Sequence, residues 1–242
     1  KRFINETYVW SQLKHDHILE LIGFHFSCSD GVVEALVVCP WLENGQSVRY
    51  VEQRNLSADK RLCLLLDAAE GLHYLHTHQP PICHGNIRGS NLLVKNNGRA
   101  AICDFGLAQA LNEDFAEVAG QTIYRGNVRW ASPERLDSNG ALASSSDVWS
   151  WGWLIWELMT AKTPFHLIKN SSSLIYHIVT SKLPACEEEV GIREVPALAR
   201  LMRMCWQQDP GSRLKIKECI HFLNRIVSVG SQRKWSVYLH SY

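Results

Sequence analysis

Hydrophobic residues recur at helical spacing over residues 3 to 14, and two short apolar runs follow this segment. The apolar positions on one side of the predicted helix are Phe3, Trp10 and Leu13. The two runs, Ile18 to Ile22 and Val33 to Cys39, are typical of strands, and the turn-forming Glu43-Asn44-Gly45 comes after them. The pattern therefore predicts a helix and two strands in a small region with little sheet.

A longer helical pattern begins after Ser57 and ends near Pro80-Pro81. Its apolar positions, spaced by three and four, are Leu62, Leu65, Ala69, Leu72 and Leu75. Two further apolar runs, Leu92-Leu93-Val94 and Ala100 to Cys103, flank Asn96-Asn97-Gly98. Because Asn-Gly between apolar runs is typical of a two-stranded turn, this segment predicts a β-hairpin.

The rest of the chain, from Asp147 onward, has a helical pattern. Residues 147–160 include four tryptophans and are apolar nearly all round, which predicts a helix buried in the middle of a helical lobe. These helices, together with the few strands before them, make α+β the predicted fold class.

Composition adds few constraints. The formal net charge of the 242 residues is +1 with both signs interspersed, so neither nucleic acid nor a membrane is expected as a partner. The eight cysteines are scattered without a CxxC pair and are predicted to be reduced core thiols. The start of the chain has no apolar signal-peptide run, and residues 147–160 are too short to span a bilayer. The prediction is a soluble, intracellular, cytoplasmic protein.

Two polar segments flank the predicted hairpin. His84-Gly85-Asn86-Ile87-Arg88-Gly89-Ser90-Asn91 precedes it, and Asp104-Phe105-Gly106 follows it, so the hairpin brings both segments to one edge. Here the sequence resembles eukaryotic protein kinases, whose catalytic-loop and metal-binding signatures are H-x-D-x-x-x-x-N and D-F-G. Asn86 stands where that family has its catalytic aspartate.

The resemblance covers essentially the whole chain. Ser132-Pro133-Glu134 matches the family's A-P-E motif, residues 146–152 match its central buried helix, and Arg213 matches the late arginine that pairs with Glu134. Residues 129–134 look most like the tyrosine-kinase-like serine/threonine group. The resemblance implies a two-lobe fold with a reduced N-lobe over residues 1–42, a mainly helical C-lobe over 43–228, and a tail over 229–242.

The family also implies roles for individual residues, with ATP and Mg²⁺ as ligands. The residues implied are Asn91 and Asp104 for metal, Cys39 (gatekeeper position), Pro40, Leu42 and Glu6 for nucleotide, and Asn86 and Arg88 in catalytic positions. An asparagine amide cannot accept a proton as a carboxylate does, and losing a positioned base typically costs about 100-fold to 10,000-fold in rate. Because Asn91 and Asp104 are retained, binding of ATP and Mg²⁺ is chemically possible, and it is expected to be weak or absent; efficient catalysis is not expected.

Other departures point the same way. Gly85 replaces the usual arginine, and Gly126-Asn127 stands where this group usually has glycine and threonine. The glycine-rich loop and the lysine that would pair with Glu6 belong upstream, but the chain begins only five residues earlier, which predicts an N-terminally truncated domain.

Three interpretations remain open: a pseudokinase that binds protein partners, a fragment of an active kinase that phosphorylates a protein substrate, and a decayed product whose incomplete N-lobe exposes apolar surface. Serine/threonine and tyrosine specificity both remain possible. The first of the three interpretations is favoured because the base, the lysine and the glycine-rich loop are absent together, while Asn86 itself can be an inactive relic or a residue with residual catalysis.

Overall fold

The structure is a computed structural model that describes residues 2–29, 32–111, 127–137, 140, 142–184 and 186–232. Gly126, the middle of the loop between Asp104 and Glu134, and the end of the predicted tail, residues 233–242, lie outside these ranges. Within them the fold is α+β, as predicted, with a small strand-containing N-terminal part and a mainly helical remainder.

The N-terminal part consists of one helix and one hairpin. The elements are helix α1 (Arg2–Ser11) and strands β1 (Gly23–Ser29) and β2 (Val32–Val38). The strands pair antiparallel, from Gly23 opposite Val38 to Ser29 opposite Val32. The predicted helix and the second predicted strand are therefore present, with slightly different ends.

The predicted strand at Ile18 to Ile22 is wrong. Its start is instead a connection to the helical lobe, where Ile18 makes only an isolated parallel bridge with Ile102 and the Leu19 N–H donates to the Ile102 carbonyl at 2.8 Å. Ile18 and Leu19 are both buried there. The apolar run thus reflects contact with the core, and the strand begins only at Gly23, where the chain leaves it.

Both faces of the β1–β2 hairpin carry exposed apolar side chains. Phe24 and Phe26 are 61% and 59% exposed on one face, and Leu36 and Val38 lie on the other. On the α1 side, the ring of Phe3 meets that of Phe24 edge-on at 6.1 Å. The hairpin therefore contributes little to the core of the described protein, which lies in the helical lobe.

The helical lobe contains the remaining elements. The helices are α2 (Ser47–Arg54), α3 (Ala58–Thr77), α4 (Ser144–Thr160), α5 (Ser171–Val179), α6 (Val190–Arg193), α7 (Ala197–Cys205) and α8 (Ile216–Gln232). The short strands are β3 (Ile82–Cys83), β4 (Leu92–Val94), β5 (Ala100–Ile102) and β6 (Gln109–Ala110), paired β3 with β6 and β4 with β5. Single 3₁₀ turns lie at Gly89–Asn91, Val128–Trp130, Pro133–Leu136, Cys186–Glu188 and Pro210–Ser212. The hairpin predicted around Asn97-Gly98 is confirmed, with φ of +81° at Gly98.

Helix α4 forms the centre of the core, as predicted. The side chains of Trp149, Trp151, Trp153 and Trp156 are all buried, and the rings of Trp153 and Trp206 lie 4.0 Å apart between centroids. Within the described residues, no helix is both long enough and apolar enough to cross a membrane. The prediction that all cysteines are core thiols is wrong for Cys28 and Cys63, which are exposed.

Candidate active site

The first residue that shapes the candidate site is Asp147, near the start of α4. Its carboxylate accepts hydrogen bonds at 2.8 Å from the backbone N–H groups of both His84 and Gly85. Burial by itself raises the pKa of Asp147, but the hydrogen bond from His76 at 3.0 Å and the charge of His76 hold that pKa below its usual range. The ionised, buried carboxylate of Asp147 therefore holds the backbone at the start of the segment from His84 to Asn91.

His84 stabilises the loop through hydrogen bonds at both ring nitrogens. The backbone N–H of Asn86 donates to its Nδ1 at 3.2 Å, so Nε2 carries the proton and donates to the Cys103 carbonyl at 3.1 Å. Burial lowers the pKa of His84, which agrees with a neutral ring. The imidazole thus ties the loop to the residue immediately before Asp104.

Gly85 has a conformational reason to differ from the family's arginine. Its φ is +74°, a region that favours glycine, and an added Cβ would lie 3.0 Å from the Leu107 carbonyl oxygen. The side chain that the family places here would therefore strain this loop.

Asn86, Asn91 and Asp104 meet in the structure. Asn86 Nδ2 donates to Asp104 Oδ2 at 2.8 Å, and Asn91 Nδ2 donates to the same oxygen at 3.1 Å and to the Asn86 carbonyl at 2.8 Å. The other carboxylate oxygen of Asp104 accepts the Gly106 N–H at 3.4 Å, and Asp104 itself has φ of +67°. The expected proximity of the two polar segments is therefore observed.

The chemistry of this group suits Mg²⁺, which prefers oxygen ligands and keeps several waters. Asp104 offers a carboxylate, and among the described residues Asn91 Oδ1 accepts a single hydrogen bond, from the neutral Ser90 hydroxyl at 3.2 Å, which leaves that oxygen a lone pair. Asn91 and Asp104 are the residues that would hold the ion. When bound, Mg²⁺ supplies neutralisation of phosphate charge.

A second buried carboxylate, Glu157, lies under the other end of the loop and was missed by the sequence analysis. One of its oxygens accepts the Gly89 N–H and the Trp130 Nε1–H, both at 2.8 Å. Burial raises its pKa to about 7, although these bonds and the charge of Arg88 act in the opposite direction. The available signal was a carboxylate within an otherwise apolar helix, because a buried acid needs partners.

Arg88 lies in the same segment, near Trp130 and Glu157. Its guanidinium carbon is 5.7 Å from the centre of the Trp130 ring, a cation–π distance, and its charge lowers the pKa of Glu157. Arg88 is therefore a half-buried member of the predicted catalytic loop that packs beside Trp130.

The predicted nucleotide-contacting segment runs from the end of β2 toward α2. Cys39, Pro40 and Leu42 are half-buried there, and the Leu42 carbonyl accepts the Gly45 N–H at 3.0 Å. The pKa of the Cys103 thiol is raised to about 12, first by burial and then by the nearby Asp104 and Cys39. Cys39 and the residue before Asp104 are thus neighbours.

Glu6 is half-buried on α1, which packs beside the segment that follows Asp104. Asn5 Nδ2 donates to the Ala108 carbonyl at 3.4 Å, and the Trp10 and Phe105 rings lie 5.4 Å apart. The helix that carries Glu6 is therefore in contact with the Asp104-Phe105-Gly106 motif. The role predicted for Glu6 in nucleotide binding stays a prediction.

The predicted pair of Glu134 and Arg213 is confirmed. Two parallel hydrogen bonds of 2.7 Å join the guanidinium to the carboxylate, and Arg213 also donates to the Ser145 and Gln207 carbonyls. Burial raises the pKa of Glu134, but the bonds from Arg213 outweigh this effect and hold it below its usual value. The pair joins the A-P-E-like motif to the end of the helical lobe.

A cluster of possible metal ligands lies away from this site. His17 Nε2 is 3.1 Å from Glu70 Oε2 and 3.7 Å from Asp67 Oδ1. However, Arg99 Nη2 is 2.6 Å from that Asp67 oxygen and 3.3 Å from His17 Nε2. Because a guanidinium already occupies the centre, the cluster is an ion-pair network that joins the 15–19 segment to the helical lobe.

The buried α4 helix, the loop held above it and the meeting of Asn91 with Asp104 define the class of a protein kinase domain. The family described as protein tyrosine and serine/threonine kinase matches residues 1–223, and the chain belongs to this family.

Curated relatives include kinases from distant organisms. Serine/threonine-protein kinase TNNI3K of Mus musculus is 26% identical over 229 residues, which cover 91% of this chain and 26% of that protein. Serine/threonine-protein kinase STY17 of Arabidopsis thaliana is 25% identical over 229 residues, covering 94% and 38%. Dual specificity protein kinase shkC of Dictyostelium discoideum is 28% identical over 228 residues, covering 93% and 43%. The chain thus spans less than half the length of these relatives.

Proposed function

We propose that this protein kinase domain binds ATP with Mg²⁺ at Asn91 and Asp104, transfers the phosphoryl group poorly, and serves in signalling by binding protein partners. The observation that carries the proposal is the asparagine at position 86, hydrogen-bonded to Asp104.

The chemical argument concerns the proton of a substrate hydroxyl. That proton needs an acceptor within hydrogen-bond reach, and the Asn86 amide oxygen is a very weak base compared with a carboxylate. The amide nitrogen donates to Asp104, and the amide oxygen is the atom of the Asn86 side chain that can accept a hydrogen bond from a substrate hydroxyl. The missing base corresponds to a loss of about 100-fold to 10,000-fold in rate.

A second candidate is an active kinase with slow chemistry. Asn91 and Asp104 favour it, since these residues match the family's signatures. The curated relatives of this chain also carry names that describe kinases. In this case Asn86 would lower the rate without abolishing phosphorylation of a protein substrate.

Thermal unfolding with ATP, with and without Mg²⁺, tests nucleotide binding. A ligand that binds only the folded state raises the midpoint, and Asp104→Ala should remove that rise. No rise for the unaltered protein at millimolar ATP would contradict the nucleotide-binding part of the proposal.

Phosphotransfer by Asn86→Asp tests the assignment of the missing base. We expect a rise of at least about tenfold over the unaltered protein, and no change for the matched exposed variant Asn96→Asp. A smaller rise for Asn86→Asp would contradict the argument. High activity of the unaltered protein would instead favour the second candidate.

A further inference from the structure

The Asp104 carboxylate is held by amide groups in a way that an aspartate at position 86 could not reproduce. Asn86 Nδ2 donates to Asp104 Oδ2 at 2.8 Å, and Asn91 Nδ2 donates to the same oxygen at 3.1 Å. A carboxylate at position 86 has no N–H to donate, and two carboxylates at this distance repel each other. Two carboxylates at positions 86 and 104 would need a cation or a proton between them, whereas the amide of Asn86 and the carboxylate of Asp104 do not.

We propose that the Asn86 side-chain amide occupies the place of a cation on Asp104, so that it competes with divalent metal for this carboxylate. This inference rests on the proposed function, because it concerns the same nucleotide site. Asn86 is here a positioning residue: it touches Asp104 and keeps the carboxylate in place when metal is absent. The site then retains its arrangement without metal and binds divalent cations weakly.

The geometry around Asn91 supports competition rather than a simple loss of the site. Asn91 Nδ2 also donates to the Asn86 backbone carbonyl at 2.8 Å, a bond that any side chain at position 86 preserves. The remaining ligand oxygen of Asn91 faces a neutral hydroxyl, that of Ser90. The oxygen ligands of Asn91 and Asp104 therefore remain present, and a cation that binds Asp104 Oδ2 must displace the Asn86 amide, which shares this oxygen with the Asn91 amide.

The size of the effect follows from the strength of one charge-assisted hydrogen bond. Removing the donor should tighten binding of a divalent cation by roughly tenfold or more, because a net bond to a charged group corresponds to about one to two powers of ten in an equilibrium constant. Asn86→Ala removes the donor without adding charge. Asn86→Asp also adds a second carboxylate and should bind more tightly still.

The experiment titrates Mn²⁺ alone into the protein, without nucleotide, and measures free Mn²⁺ by electron paramagnetic resonance. The variants are Asn86→Ala, Asn86→Asp, Asp104→Asn and the exposed control Asn96→Ala. We expect tighter binding for both changes at position 86, unaltered binding for the control, and loss of the site when Asp104→Asn is added to either.

A dissociation constant for Asn86→Ala within twofold of the unaltered protein would overturn the proposal, even if Asn86→Asp binds tightly, since added charge would then explain the gain. Asn86→Leu has the same branching and number of side-chain heavy atoms as asparagine but no N–H donor, and it replaces Asn86→Ala if the latter does not unfold cooperatively. Because no nucleotide is present, this result is independent of the ATP-dependent thermal shift. Failure of the proposed function and failure of this inference are therefore distinguishable.

Discussion

Glu157 leads to a prediction about stability and pH. Burial raises its pKa from an ordinary 4.5 to about 7 in the folded protein, against the opposing bonds from Gly89 and Trp130 and the charge of Arg88. Between these values the folded state holds a proton that the unfolded chain has released, so the free energy of unfolding falls as pH rises through this window. The difference corresponds to about 3 kcal/mol, present below pH 4.5 and lost above pH 7.

Glu157→Gln isolates this contribution because glutamine stays neutral at every pH and keeps an oxygen for both N–H donors. Relative to the variant, the unaltered protein should lose about 2.5 kcal/mol of stability between pH 5 and pH 8, because part of the difference is already lost at pH 5. The variant should therefore become the more stable of the two at the alkaline end.

Urea unfolding followed by tryptophan fluorescence at several pH values between 5 and 8 measures this difference. Glu194→Gln, at an exposed glutamate, is the matched control and should follow the unaltered protein. If Glu157→Gln gave a pH profile parallel to that of the unaltered protein, Glu157 would not be the group that holds the proton.

Three further changes test the scaffold of the site. Arg213→Met leaves Glu134 without its paired guanidinium and should lower the free energy of unfolding by about 3 kcal/mol in urea titration, whereas Lys162→Met, at an exposed pair, should change it by under about 1 kcal/mol. Asp147→Asn should weaken the His84 and Gly85 anchors by about 2 kcal/mol near neutral pH, with a smaller deficit in acid. The folded Asp147 has a lowered pKa, and its contribution is lost only as pH falls through that value. Gly85→Ala should cost about 1 kcal/mol at the positive φ, while Gly23→Ala, in open space, should not; equal effects would contradict the strain argument.

The apolar pattern of the chain was sufficient for the long elements. It located α3, α4 and the β4–β5 hairpin, because the spacing of apolar residues depends on burial and the Asn-Gly pair favours a turn. It misplaced the strand at Ile18 to Ile22, because an apolar run buried against a distant strand has the same composition as a strand. The end of the predicted tail, residues 233–242, lies outside the described structure.

The site was predicted in part. The order of the motifs brought Asn86, Asn91 and Asp104 together, because residues on either side of a hairpin must meet. The anchors below the loop could not be predicted in the same way, since the bonds that Glu157 makes join residues 27 and 68 positions apart. Which donor a buried carboxylate finds depends on packing between distant segments, and residue type alone does not specify it.

The two buried carboxylates of α4 have a consequence for how the sequence of this domain can evolve. Asp147 and Glu157 are ten residues apart, about 15 Å along the helix axis, and they hold the loop of residues 84–91 at His84 and Gly85 on one side and at Gly89 on the other. The side chain at position 86 lies between these anchors and takes no part in the hydrogen bonds that Asp147 and Glu157 accept. A single codon change there can alter the chemistry of the domain while its outer surface, and any partner that recognises it, remains the same.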